Sequence, residues 1–314
     1  GQDWAGAVHV LYAHEDGLSA INDELWSRNS PGLPGEAQEN EEFGRRLTTG
    51  DFNGDGYADL AVGAPKKYLG DLYNAGEVVV LYGSPTGLSS TGVQAWNQAL
   101  STIVGTADVQ EQFGDTLATG DFNGDGYADL AVGVARDEVS GHISAGSVNI
   151  IFGSALGLTH AGNQNLSRDL ETYPGEAATL DNFGAALAAG DFDGDGYEDL
   201  AVGVPLDAGI ASNGGAVDIF YGNASGPGAF EIQRWTQDSP SVAGLVEAGD
   251  RFGQSLVSGD FNGDGFADLV VGVPYEDSEM GAAHVLYGTS SGLSASSSPS
   301  RTQVWMFGHT QETG

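Results

Sequence analysis

One segment returns four times along this chain at almost constant spacing. It reads FGRRLTTGDFNGDGYADLAVGAP from Phe43, FGDTLATGDFNGDGYADLAVGVA from Phe113, FGAALAAGDFDGDGYEDLAVGVP from Phe183 and FGQSLVSGDFNGDGFADLVVGVP from Phe252. The starts lie 70, 70 and 69 residues apart. Self-similarity at a fixed period means that one supersecondary unit is copied and that each copy buries its apolar face against the next. A second element recurs between the copies: GAVHVLYAHEDGLS from Gly6, GEVVVLYGSPTGLS from Gly76, GSVNIIFGSALGLT from Gly146, GAVDIFYGNASGPG from Gly215 and GAAHVLYGTSSGLS from Gly281. A third centres on Trp26, Trp96, Leu166, Trp235 and Trp305.

Within a unit the periodicity is that of strands. Strand A is the FGxxLxxGD segment and strand B the short apolar run DLAVG. Strand C is the VxVLYG run, rich in β-branched and aromatic residues, and strand D surrounds the Trp. No stretch carries helical periodicity with caps. Four-stranded units in tandem, with Gly and aromatics at fixed places, predict an all-β fold, a β-propeller of antiparallel blades. The domain reading is a single propeller over 1–314, with a half-repeat at 1–42 and repeats at 43–112, 113–182, 183–251 and 252–314. The half-repeat supplies only strands C and D, so the strands counted fall one A–B hairpin short of a five-bladed ring. Three ways of closing it stand side by side: a fragment of a larger propeller, a second chain that completes the ring, or an irregular closure by the N-terminal hairpin.

Between strands A and B lies D-x-[ND]-G-D-G-x-x-D. The copies are Asp51, Asn53, Asp55, Tyr57 and Asp59; Asp121, Asn123, Asp125, Tyr127 and Asp129; Asp191, Asp193, Asp195, Tyr197 and Asp199; and Asp260, Asn262, Asp264, Phe266 and Asp268. Positions 1, 3, 5 and 9 offer side-chain oxygens and position 7 its backbone carbonyl, as in the first part of an EF-hand loop. Val62, Val132, Val202 and Val271 stand where that loop has its final Glu, and the flanks are strands, so the prediction is a calcium-binding β-hairpin with four Ca²⁺ sites. Mg²⁺ demands stricter octahedral geometry and Zn²⁺ prefers His or Cys. A set of Asx turns without metal is the alternative, but it leaves three or four carboxylates within nine residues without a counter-charge.

These residues resemble the FG-GAP repeat of the integrin α-subunit head, in the type found in secreted bacterial proteins and in a fungal lectin. The resemblance covers nearly the whole chain, four times over. It implies one repeat per blade, calcium in the A–B hairpin, and a protein or carbohydrate ligand on the opposite face, where B–C and D–A loops meet. It implies an adhesion or recognition module that is extracellular or at the cell surface of a bacterium. Integrin heads have seven blades and shorter repeats, and only some of those keep the calcium loop.

Composition narrows partners and chemistry. The formal net charge is −34, with 44 acidic residues against 10 basic ones. Such a balance repels phosphate backbones and anionic bilayers, so no nucleic acid is expected. No apolar run reaches the ~18–20 residues that span a bilayer, so no membrane insertion is expected either. The absence of Cys removes thiolate metal sites and a Cys nucleophile. No GxSxG, HExxH or Walker motif is present, so the chain reads as a non-enzyme. A structural spacer in a larger surface protein, and a polysaccharide-acting enzyme using upper-face carboxylates, are the other readings.

The upper-face loops are Ala64 to Ala75, Val134 to Ala145, Val204 to Gly214 and Val273 to Met280, with D–A loops such as Asn97 to Gln112. Their charged residues Lys66, Lys67, Arg136, Asp137, Glu138, Glu276, Asp277 and Glu279 read as solvated tips. The evenly spaced Trp residues read as inter-blade packing rather than a sugar-stacking set. His9 and His284 share a strand C position with Val79, Asn149 and Asp218, and that scatter reads as tolerance rather than as a metal or catalytic role.

Overall fold

The computed structural model describes residues 3–170, 173, 176–209, 211–228 and 232–295. Strand D of the last repeat, around Trp305, lies outside the described residues. The half-repeat is a two-stranded sheet of β1 (Val8–His14) and β2 (Gly17–Trp26). Repeat 1 is β3 (Arg46–Gly50), β4 (Asp59–Ala64), β5 (Glu77–Tyr82) and β6 (Ser89–Trp96), each antiparallel to the next. Repeat 2 repeats this order with β7 (Thr116–Gly120), β8 (Asp129–Val134), β9 (Ser147–Phe152) and β10 (Thr159–Leu166). Repeat 3 has β11 (Ala186–Gly190), β12 (Asp199–Val204), β13 (Ala216–Phe220) and β14 (Ile232–Trp235). Repeat 4 has β15 (Ser255–Gly259), β16 (Asp268–Val273) and β17 (Ala282–Leu286), with a four-residue helix α1 (Glu276–Glu279) in its B–C loop. These are the blades of a β-propeller, read correctly from the repeat.

The cores lie between successive sheets. Val78, Val80 and Tyr82 of β5 and Phe52 pack with Leu130, Val132 and Val134 of β8. The alternate residue Val79 packs the other way, with Val8 of the half-repeat. The same positions recur between repeats 2 and 3 and between repeats 3 and 4. Strands B and C are therefore covered on both faces, which is why they read as continuous apolar runs instead of alternating ones. Trp96 and Trp235 are buried in these cores, as their spacing implies. The innermost strands β3, β7, β11 and β15 neighbour one another in turn, and Thr48 Oγ1 lies 2.9 Å from Thr119 Oγ1 across one such seam.

The Phe-Gly pair has a structural job. The N–H of Phe43, Phe113, Phe183 and Phe252 donates to the carbonyl of Ala5, Ala75, Ala145 and Gly214, at the start of strand C of the preceding unit. Each copy is thus tied to the one before at the edge of strand A. Gly146 makes the close approach possible: its φ is +89°, and a Cβ there would lie 2.2 Å from the Phe183 carbonyl oxygen. Only Gly meets both demands.

Candidate metal centre

Each A–B hairpin wraps its backbone around its own acidic side chains. In repeat 1, Asp51 Oδ1 accepts from the N–H of Asp55 at 3.1 Å and Oδ2 from Gly56 at 2.8 Å. Asn53 Oδ1 accepts from Asp55 N–H at 2.9 Å, and Asp55 Oδ1 from Tyr57 N–H at 2.9 Å. Gly54 and Gly56 turn the chain with φ of +70° and +87°. Repeat 2 has the same bonds among Asp121, Asn123, Asp125 and Tyr127. Repeat 4 has them among Asp260, Asn262, Asp264 and Phe266. In repeats 3 and 4 the first Asp also accepts from the fourth-position glycine, Asp191 from Gly194 N–H and Asp260 from Gly263 N–H, each at 2.7 Å, and in repeat 3 carboxylate oxygens of Asp191, Asp193 and Asp195 all lie within 4.8 Å of one another. Asn53, Asn123 and Asn262 take the place of Asp193 in the other loops, offering a neutral oxygen in the same role. The donor set is all oxygen, on Gly-rich loops that can adjust, which suits a hard cation with flexible coordination.

The ninth position differs from the rest. Asp59 Oδ2 accepts from Phe52 N–H at 2.9 Å and Oδ1 from Gly83 N–H at 2.8 Å, fixing the hairpin to the C–D turn. Asp129, Asp199 and Asp268 do the same in their repeats. All four are buried. Burial, opposed by those backbone donors and reinforced by the charges at positions 1 and 5 or 3, pushes Asp59 up to about 6, Asp129 to about 7 and Asp199 to about 8. A nearby positive charge would bring them back toward the ordinary carboxylate range.

The seventh residue lends more than a carbonyl. A Cβ on Gly54 would meet the Tyr127 ring at 2.6 Å, one on Gly124 the Tyr197 ring at 2.5 Å, and one on Gly194 the Phe266 ring at 2.5 Å. The aromatic side chains of loops 2, 3 and 4 therefore lie on the loop of the preceding repeat. Glu198, next to Tyr197, was not among the residues singled out from sequence. Burial first, and then the charges of Asp191 and Asp121, raise its pKa, so it adds a carboxyl between loops 2 and 3. Its signal was the Ala at the same place in the other three copies, Ala58, Ala128 and Ala267.

At the other end of the blades the charged loop residues are not all solvated tips. Lys67, Asp137, Asp207 and Glu276 occupy one repeated position and are buried, which corrects that expectation. They meet residues of the D–A loops in a polar junction between neighbouring blades. Arg28 Nη1 lies 2.8 Å from Glu77 Oε1, and Lys67 Nζ 3.2 Å from Glu41 Oε2. Arg168 Nη1 lies 2.7 Å from Asp181 Oδ2 and 2.6 Å from Asp207 Oδ2. Tyr173 Oη donates to Asp218 Oδ2 at 2.6 Å. The strand C position read as tolerant is buried in the four repeats: Asn149 and Asp218 join these junctions, Val79 and His284 are fully buried, and His9 is exposed beside Asp23. Burial lowers His284 to about 4, so its imidazole is neutral.

Repeated antiparallel blades, Phe-Gly ties between copies and an acidic A–B hairpin in each define a class of repeat protein. The FG-GAP repeat family matches residues 43–81, 113–144, 183–220 and 252–292. The chain is a protein of FG-GAP repeats, with an integrin α-like β-propeller. Integrin alpha-PS2 of Drosophila melanogaster is 33% identical over 244 residues, 75% of this chain and 15% of that protein. Phosphatidylinositol-glycan-specific phospholipase D of Rattus norvegicus is 36% identical over 177 residues, 56% of this chain and 20% of that protein. Integrin alpha-PS5 of Drosophila melanogaster is 36% identical over 170 residues, 52% of this chain and 15% of that protein. The chain thus spans a fifth or less of the length of these relatives. Among the described residues no helix is long and apolar enough to cross a membrane.

Proposed function

We propose that this chain is a calcium-binding β-propeller module of an extracellular or cell-surface protein. In this reading it recognises a protein or glycan ligand and performs no catalysis. The observation that carries the calcium assignment is the loop of repeat 3, where three carboxylates converge within 4.8 Å. The equivalent oxygens of Asp51, Asn53 and Asp55, of Asp121, Asn123 and Asp125, and of Asp260, Asn262 and Asp264 support one Ca²⁺ per loop, with Asp59, Asp129, Asp199 and Asp268 completing each site. Calcium here is structural: it neutralises carboxylates that the fold has gathered and fixes each hairpin between two blades. Likeness to two proteins named as integrin alpha chains supports placing the ligand face outside the cell.

Elemental analysis after dialysis against Ca²⁺, and melting with and without EDTA, test the metal. At least four Ca²⁺ per chain, one for each hairpin, and a Tm lowered by several degrees in EDTA are expected. A calcium-free protein with an unchanged melt overturns the reading. Glycan arrays and matrix-protein pulldowns test the recognition role. Specific capture lost on altering B–C or D–A loop residues supports it, and no capture in either favours a spacer.

A further inference from the structure

The four polar junctions at the ends of the blades away from the hairpins are built on one plan. The residue two after the strand D aromatic or Leu is Arg28, Gln98, Arg168 and Gln237 in turn, and the residue two before each Phe-Gly is Glu41, Glu111, Asp181 and Asp250. Where the first position is Arg, a guanidinium meets buried carboxylates. Arg28 pairs with Glu77, with Lys67 beside Glu41, and Arg168 bridges Asp181 and Asp207.

Between repeats 1 and 2 the acids remain and the guanidinium is gone. Glu111 and Asp137, the counterparts of Asp181 and Asp207, are 4% and 7% exposed. Neither forms an ion pair there. Burial, then the charges of Asp137 and Asp108, drives Glu111 far above the ordinary carboxylate range. Two buried carboxyls side by side without a counter-charge are costly to the fold. Gln98 is 4% exposed, and the N–H end of its carboxamide faces Asp137 and donates to Asn149 Oδ1 at 3.1 Å. Its Oε1 is buried with no hydrogen-bond partner. A cavity of ≈ 350 Å³ lined by Asp108, Glu111, Asp137, Glu138, Ser140 and Asn165 opens the pair to solvent.

We propose that this junction binds a divalent metal cation of the calcium class between the Glu111 and Asp137 carboxylates, with the Gln98 carboxamide reversed about its last torsion to offer its oxygen as a neutral donor. The cation takes the place that a guanidinium holds in the sister junctions. Two carboxylates and an amide oxygen are hard ligands, and the open side leaves room for retained water. The Gln237 junction shows the same pattern: Gln237 donates to Glu276, while Gln237 Oε1 and both His284 nitrogens have no partner. The proposal does not rest on the hairpin sites.

The test counts bound Ca²⁺ by elemental analysis after equilibrium dialysis, in the parent, in Gln98→Arg and in Glu111→Gln/Asp137→Asn. Gln98→Arg restores the arrangement found at Arg168 and is expected to fold, with an unchanged circular dichroism spectrum. Each variant is expected to bind one Ca²⁺ fewer than the parent. Gln98→Arg is also expected to melt higher than the parent in EDTA, because it carries its own cation. Either variant that folds and keeps the parent's count overturns the proposal. Failure of the hairpin sites is read separately, as an unchanged count in Asp191→Ala.

Discussion

The backbone N–H of Ala128 donates to the carbonyl oxygen of Asp51 across 3.0 Å. Asp51 opens the acidic loop of repeat 1 and Ala128 closes that of repeat 2, so the bond joins two candidate metal sites through the main chain. Glu198 to Asp121 at 3.1 Å and Ala267 to Asp191 at 2.9 Å continue the series. With Tyr127, Tyr197 and Phe266 each lying on a glycine of the loop before, no hairpin is organised alone.

Asp191→Ala removes the acceptor for Gly194, Asp195 and Gly196 N–H as well as a carboxylate. It is expected to lose one Ca²⁺ and to destabilise the protein by about 1–3 kcal/mol, since hydrogen bonds to an ionised carboxylate are lost. The loss should be larger in Ca²⁺ than in EDTA, which urea titration in both buffers measures.

The ninth-position carboxyls set a pH dependence for the metal-free protein. Their folded pKa values of about 6, 7 and 8 for Asp59, Asp129 and Asp199 lie above the ordinary Asp value of 3.8. The folded state therefore binds more protons than the unfolded one in this window. Stability is fullest below the unfolded pKa and falls as pH rises through the folded values. In EDTA the Tm is expected to drop between pH 5 and 8, and saturating Ca²⁺ is expected to flatten that slope. A flat profile in EDTA would contradict the carboxyl environment described.

Gly146→Ala tests the Phe-Gly tie. Its Cβ would lie 2.2 Å from Phe183 O in a left-handed conformation, so a cost of about 2 kcal/mol or more is expected. The midpoint in urea checks this. An equally conservative change at Gly56, where a Cβ meets nothing, should cost less because only the φ penalty applies.

Arg168→Ala leaves Asp181 and Asp207 buried with one fewer cation, and a loss of about 3–5 kcal/mol is expected. Arg45→Ala breaks exposed pairs with Glu42 and Asp115 and should cost under about 1 kcal/mol. Comparing the two by chemical denaturation separates junction from surface.

Most of the architecture was legible because it is periodic. Phe43, Phe113, Phe183 and Phe252 mark the unit, and DLAVG with VxVLYG mark two strands buried on both faces. The acidic loops were equally plain, since Asp and Gly alternate at ligand spacing. The polar junctions were not. Lys67, Asp137, Asp207 and Glu276 differ in sign and size, and their shared place emerges only when the B–C loop folds back against the D–A loop of the neighbouring blade. Composition suggests solvation for such residues, and what buries them is a partner distant in sequence. The burial of His284 was hidden for the same reason: the scatter of Val79, Asn149, Asp218 and His284 at one place carries no mark of the interior.

The hairpins of repeats 1 and 2 are identical from Gly50 to Gly63 and from Gly120 to Gly133. A folding chain with two interchangeable pieces risks docking the wrong one, a known hazard of tandem repeats. The strands themselves cannot discriminate, but the junctions can. Seating the repeat 2 hairpin in the place of repeat 1 would set Asp137 where Lys67 meets Glu41, so that a buried carboxylate faces a carboxylate. The opposite signs of Lys67 and Asp137 thus distinguish two copies whose hairpins are otherwise the same.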